Sequence, residues 1–154
     1  MKAPTIYGRR MRSKARLPLL VEDDPDQLSL LTMAFQEAGV GGLPAVFPSG
    51  EAAVEFLSSD GSYRTLDPVR PFSFALLDVD LPGMSGLEVL EWMTTSERLR
   101  NVPVIMLSAS TDPERVERAF RLGAKSYLLK PGGFSSLVRL IEGVARFWDG
   151  PLDS

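Results

Sequence analysis

Between residues 17 and 147, short apolar runs alternate with segments carrying helix-start and helix-stop signals, and this alternation constrains the fold more than any other feature. Runs at 17–21, 43–47, 72–77, 102–107 and 126–129 have strand length. The third is almost continuously apolar, as a strand covered on both faces would be. Asp24 sits at an N-cap position with Pro25 behind it and Gly39 past the end, which predicts a helix over 25–38 with Leu28, Leu31, Phe35 and Ala38 inward. Ser49 opens a helix to about residue 57. Ser85 and Glu88 have capping-box spacing ahead of Leu87, Leu90 and Met93. Asp112-Pro113-Glu114 opens a fourth helix closed by Gly123, and a last helix covers 133–147. Five strands alternating with five helices imply right-handed βαβ units: an α/β, doubly wound parallel sheet covered on both faces. Such sheets bind ligands outside the carboxyl ends of the strands, where the strand order reverses.

Composition narrows the chemistry. The 154 residues fit one domain of ordinary size. There is no cysteine and no histidine, which excludes disulfides, thiolate and imidazole metal sites, thiol catalysis and a phosphohistidine on this chain. No apolar run approaches the roughly eighteen residues of a membrane span, so no membrane association and a cytoplasmic location are expected. Residues 1–16 carry a charge of +6 and the remainder −9. The leader reads as a basic flexible arm, residues 17–147 as the folded domain, and 148–154 as a short tail. Residues 58–71 form a long connection.

The strand ends carry the polar residues. The first strand runs into Glu22, Asp23 and Asp24, the third into Asp78 with Asp80 beyond, the fourth into Ser108, and the fifth into Lys130-Pro131. If the first and third strands are neighbours, carboxylates converge at one point and repel. A hard cation such as Mg²⁺ relieves that repulsion with oxygen ligands. A group able to bridge a cation, a lysine and a hydroxyl is a phosphoryl group, and a carboxylate is the nucleophile left to accept it. Each residue also has a plainer reading. Asp24 is most simply a helix cap. Glu22-Asp23 could be a solvated turn and Asp80-Leu-Pro-Gly ordinary turn chemistry. Ser108 and Lys130 could be structural, and Tyr127 a core residue. Asp78 resists such a reading, because an unpaired carboxylate at the end of a buried strand is costly.

Taken together, Leu-Leu-Val-Glu22-Asp23-Asp24-Pro, Leu-Leu-Asp78-Val-Asp80-Leu-Pro-Gly-Met-Ser-Gly, Pro-Val-Ile-Met-Leu-Ser108-Ala and Gly-Ala-Lys-Ser-Tyr127-Leu-Leu-Lys130-Pro131 resemble the receiver domain of two-component response regulators. The resemblance covers residues 17–147. It implies a flavodoxin-like (βα)5 sheet of order 2-1-3-4-5. It implies Asp78 as phosphoacceptor and Mg²⁺ held by Glu22, Asp23, Asp78 and the Asp80 backbone carbonyl. Lys130 would pair with the phosphoryl group, Ser108 would move to bond it, and Tyr127 would follow as an aromatic switch. The Lys130-Pro131 bond is expected to be cis. The chain departs from the family pattern at Glu22, where many members carry Asp, and at Ser108, where Thr is commoner. Asp80 adds a negative charge two residues from the acceptor.

A narrower likeness joins the long connection, the Leu-Arg-Asn-Val-Pro segment and the Arg-Phe147-Trp148 end of the last helix to small regulators paired with phytochrome sensor kinases. The resemblance therefore implies a signalling protein rather than an enzyme, with a sensor histidine kinase as partner. With few residues after the last helix, output is expected through an interaction of the domain itself. The wide apolar arc of that helix, with Leu137, Val144, Phe147 and Trp148, is expected to form a homodimer surface. Two alternatives stay open: a receiver-like binding module that is never phosphorylated, and a haloacid-dehalogenase-like phosphatase using Asp78 and Asp80. Against the phosphatase, Pro82 replaces the usual Thr or Val, and the acidic pair precedes Asp78 rather than following the lysine. The basic arm lacks a folded reading element, so specific nucleic-acid binding is not expected. Gly39-Val-Gly41-Gly42 lacks the spacing of a dinucleotide fingerprint.

Overall fold

The computed structural model describes residues 17–40, 44–58 and 71–148. The basic arm, Leu43, all but the ends of the long connection and the tail after Trp148 lie outside the described residues. In chain order the elements are β1 (Leu17–Val21), α1 (Pro25–Ala38), β2 (Ala45–Phe47), α2 (Gly50–Ser58), β3 (Phe72–Asp78), α3 (Gly86–Thr94), β4 (Val104–Ser108), α4 (Pro113–Arg121), β5 (Ser126–Leu129) and α5 (Phe134–Trp148). The strands form one parallel sheet in the order β2-β1-β3-β4-β5.

Local chemistry sets the element ends. Asp24 accepts the Asp26 N–H at 2.9 Å, and Gly39 closes α1 at φ 71°, a left-handed conformation that glycine adopts without a Cβ penalty. Ser85 and Glu88 form the expected reciprocal capping box. β2 begins at Ala45 and β4 at Val104, later than the apolar runs predict, because Pro44 and Pro103 have no N–H to give a ladder. Pro103 contributes its carbonyl instead, accepting the Ala75 N–H at 2.8 Å. Trp148 belongs to α5, so the helix extends one residue into the expected tail.

All seven residues of β3 are buried. Alternate side chains divide between two cores, as a strand's two-residue period requires. Leu19, Val21, Ala75, Leu77 and Met106 pack under α2, α3 and α4, together with Leu87, Leu90 and Met93. Leu20, Phe74, Leu76, Ile105 and Leu107 pack under α1 and α5, where Phe35 stacks on Phe74 at 6.2 Å. Both faces are closed, leaving the sheet's carboxyl-end edge as the accessible place for polar chemistry.

Candidate functional site

Strand register assembles the site. Val21 pairs with Leu77 across β1 and β3, so the next residues, Glu22 and Asp78, emerge together. Asp78 pairs with Leu107, which brings Ser108 alongside, and Ser108 pairs with Leu129, which brings Lys130. The chain builds β2 on one side of β1 and then crosses to β3 on the other, so β1 and β3 flank the point where strand order reverses.

Glu22 and Asp78 are 1% and 4% exposed, and Asp23 is closer to solvent. One carboxylate oxygen from each of Glu22, Asp23 and Asp78 lies within 4.8 Å of the others. Lys130 Nζ stands 3.2 Å from Glu22 Oε1 and 3.2 Å from Asp78 Oδ2, donating to both. The second Asp78 oxygen accepts the Asp80 N–H at 2.9 Å, and the second Glu22 oxygen accepts the Asp24 N–H at 3.1 Å. Burial holds the Glu22 carboxyl above its ordinary pKa, and the Asp78 charge pushes the same way; the Asp24 N–H and Lys130 oppose them and do not prevail. Burial alone would lower the Lys130 pKa, but Asp78 and Glu22 outweigh it and raise it. One ammonium thus serves two buried carboxylates, with a third carboxylate beside them. An all-oxygen, net-negative cluster of this kind suits a hard divalent cation.

Around this centre lie Ser108 and Tyr127. Ser108 is fully buried; its Oγ accepts the Ser110 N–H at 3.2 Å and donates toward Asp80 Oδ2 at 3.5 Å, the outer limit of a hydrogen bond. Tyr127 packs its ring against the core under α4, and its hydroxyl is buried without a hydrogen-bond partner among the described residues. Asp80 is not among the clustered carboxylates and forms a hydrogen-bonded ion pair with Arg115 of α4. Burial would lower the Arg115 pKa, but the hydrogen bond and charge of Asp80 outweigh it and hold it above its ordinary value. Arg115 is the site residue that sequence reasoning missed. The extra charge of Asp80 was the signal that a partner was needed, but nothing in the spacing pointed to a cation on α4.

Two expectations need revision. The Lys130-Pro131 bond is trans: the described residues contain no cis peptide bond, and an X–Pro amide prefers trans by about 0.5–1 kcal/mol where nothing forces the alternative. Leu137 and Val144 do not face outward. They are 8% and 7% exposed and pack with Ile141 in the core under α5, because that stripe is the one α5 lays on the sheet. Of the expected interaction surface this leaves Trp148, part-buried, and Phe147, which is 74% exposed and meets the Trp148 ring edge-on at 4.7 Å. Asp24 caps α1, as the sequence predicts, and is not one of the three clustered carboxylates.

Residues 19–142 match the family model described as the response regulator receiver domain. The chain is 37% identical over 133 residues to the probable methanogenesis regulatory protein FilR2 of Methanothrix harundinacea, covering 86% of this chain and 83% of that protein. It is 29% identical over 130 residues to the response regulator Rcp1 of Synechocystis, covering 84% and 86%. The Mn(2+)-bound structure of Rcp1 superimposes with a TM-score of 0.73 at 27% identity, covering 87% of this chain and 94% of that one. The phosphorylated cyanobacterial phytochrome response regulator RcpA superimposes with a TM-score of 0.74 at 25% identity, again covering 87% and 94%.

Proposed function

The chain belongs to the response regulator receiver domain family of two-component signalling, and from that premise we propose that Asp78 accepts a phosphoryl group from a sensor histidine kinase and thereby switches a protein-interaction surface. The observation that carries this reading is the position of the Asp78 carboxylate. It stands at the reversal of strand order, 3.2 Å from the Lys130 ammonium and clustered with the oxygens of Glu22 and Asp23. An Asp78 oxygen attacks the phosphorus in line, forming a P–O bond as the P–N bond to the kinase histidine breaks and its electron pair leaves with the imidazole. Lys130 offsets the charge that accumulates on the transferring group and on the acceptor.

Glu22, Asp23 and Asp78, with the Asp80 backbone carbonyl, are the residues we assign to Mg²⁺. Bound there, the cation supplies neutralisation of the phosphoryl oxygens. Ser108 then turns its hydroxyl from Asp80 toward the phosphoryl group. Tyr127, packed against the α4 side of the sheet, responds to that movement, and the α4–β5–α5 surface changes its population of states. Water later hydrolyses the acyl phosphate, so Asp78 is a transient acceptor and the chain a signalling protein rather than a turnover enzyme. This reading takes the place of the phosphatase alternative.

We assign the partner to a histidine kinase of phytochrome type, on the likeness to RcpA. We place the pair in the cytoplasm; among the described residues no helix is long and apolar enough to cross a membrane. The self-association surface is assigned to Leu129 and Phe147, 52% and 74% exposed, beside Trp148 at the β5 edge of the sheet. A second copy is the proposed occupant, and Phe147→Ser should shift sedimentation toward the monomer.

The deciding experiment is intact mass after incubation with acetyl phosphate and Mg²⁺, with Asp78→Asn and a metal-free sample beside it. One added phosphoryl group that requires both Asp78 and Mg²⁺ is the expected result. No adduct under any condition would leave the unphosphorylated binding module as the better reading.

A further inference from the structure

We propose that Arg115 is a positioning residue of the phosphoacceptor site: paired with Asp80, it cancels a negative charge two residues from Asp78 and keeps that carboxylate out of the Glu22–Asp23–Asp78 cluster. The proposal rests on the reading of Asp78 as acceptor and extends it to a residue on a different element.

The Asp80 N–H is already committed to Asp78 Oδ1 at 2.9 Å, so the Asp80 backbone is fixed against the acceptor. Its side chain cannot be far from whatever approaches Asp78. A phosphoryl donor is an anion, and an uncompensated carboxylate beside its path repels it. A carboxylate free to turn inward would also add a fourth negative group to a cluster served by Lys130. The ion pair with Arg115 answers both problems. Arg115 reaches Asp80 because Asp112 caps α4 and Pro113 starts it, which puts the arginine in the helix's first turn, over the β3 loop. The Arg115 and Asp80 side chains are 31% and 48% exposed, so the pair is partly screened by water. Its effect on the site is therefore a modest factor rather than an all-or-none requirement. Without Asp80 to hold it, the arginine would extend into solvent, where its charge is screened from the site.

The test uses the full chain with Arg115→Gln, Asp80→Asn, the double variant and Arg115→Lys. It reads Mg²⁺ affinity by calorimetry and phosphorylation rate with acetyl phosphate by intact mass. Arg115→Gln should bind Mg²⁺ about threefold more tightly and take up phosphoryl about threefold more slowly, the range a partly exposed pair commands. Asp80→Asn should move both values the opposite way, the double variant should match Asp80→Asn, and Arg115→Lys should lie close to the parent. The cycle excludes a merely structural role, because lost folding would not change Mg²⁺ affinity upward or be rescued by Asp80→Asn. An Arg115→Gln effect that persists undiminished in the Asp80→Asn background overturns the proposal, as does faster phosphorylation or an unchanged Mg²⁺ affinity. If the parent takes up no phosphoryl group while the Mg²⁺ cycle behaves as expected, the acceptor reading falls and Arg115 keeps only its role of holding Asp80 apart from the carboxylate cluster.

Discussion

Gly86 sits against Asp78 so closely that a Cβ there would strike the Asp78 carbonyl oxygen. Its own N–H donates to the Val79 carbonyl at 3.2 Å, so the first turn of α3 is laid directly on the strand end that carries Asp78. Gly86→Ala must push these two backbones apart. It is expected to cost about 1–3 kcal/mol of stability, as overpacking does, and to weaken Mg²⁺ binding by displacing Asp78. Urea denaturation and Mg²⁺ titration of the same variant check both effects.

Glu22→Gln is expected to stabilise the metal-free chain at neutral pH, on the order of 1 kcal/mol. Because burial raises its pKa, the folded chain holds the Glu22 proton more tightly than the unfolded chain does. Stability therefore falls as pH rises from the ordinary carboxyl value of 4.5 through the raised folded value, and stays lower above it. The variant should lack that fall and should bind Mg²⁺ more weakly. Thermal melts across this window, with and without Mg²⁺, give the answer; a variant that melts lower than the parent at neutral pH would contradict it.

Lys130→Met leaves two buried carboxylates facing each other with no ammonium between them. The expected loss is about 2–3 kcal/mol, below the usual cost of breaking a fully buried pair because the lysine retains some solvent contact. In the parent, the stability from the raised Lys130 pKa is present at all pH values below the ordinary 10.5 and is lost only as pH climbs through the raised value. The variant should be free of that alkaline loss and should form no phosphoryl adduct at a comparable rate.

Ser108→Ala removes the acceptor of the Ser110 N–H and the hydroxyl that reaches toward Asp80. The cost in stability should be about 1 kcal/mol. Phosphoryl transfer to Asp78 should survive, since the serine is not within hydrogen-bond reach of Asp78 in the resting arrangement. The Tyr127 ring signals, followed by NMR on adding beryllium fluoride and Mg²⁺, should shift in the parent and stay near their resting positions in the variant.

The parts of the molecule that obey periodicity and capping are legible in the sequence. α1 lies where Asp24-Pro25 and Gly39 put it, the Ser85–Glu88 box forms, and β5 has its predicted limits. The strand beginnings moved where proline removes an N–H, a rule available from the sequence but overridden there by apolar content. Glu22, Asp23, Asp78 and Lys130 can be grouped because each lies at or within two residues of the end of an apolar run, and parallel register brings such positions together. Arg115 could not be found this way. It lies in the first turn of a mostly polar helix, and its partner is 35 residues away, so only the packing of α4 over the loop joins them. The outward-facing part of α5 is hidden from the sequence for a related reason. A broad apolar arc does not say which stripe meets the sheet, and the sheet claims Leu137, Ile141 and Val144.

The core beneath α1 and α5 joins the first helix of the described fold to the last. During synthesis, Leu20, Phe74 and Ile105 leave the ribosome well before the residues that cover them from the α5 side. The opposite layer, with α2, α3 and α4, has its last helix one element earlier in the chain. One face of the sheet can therefore be covered as the chain is made while the other waits for α5. A nascent chain stalled before Phe134 should display a greasy, chaperone-binding face, which arrival of α5 removes.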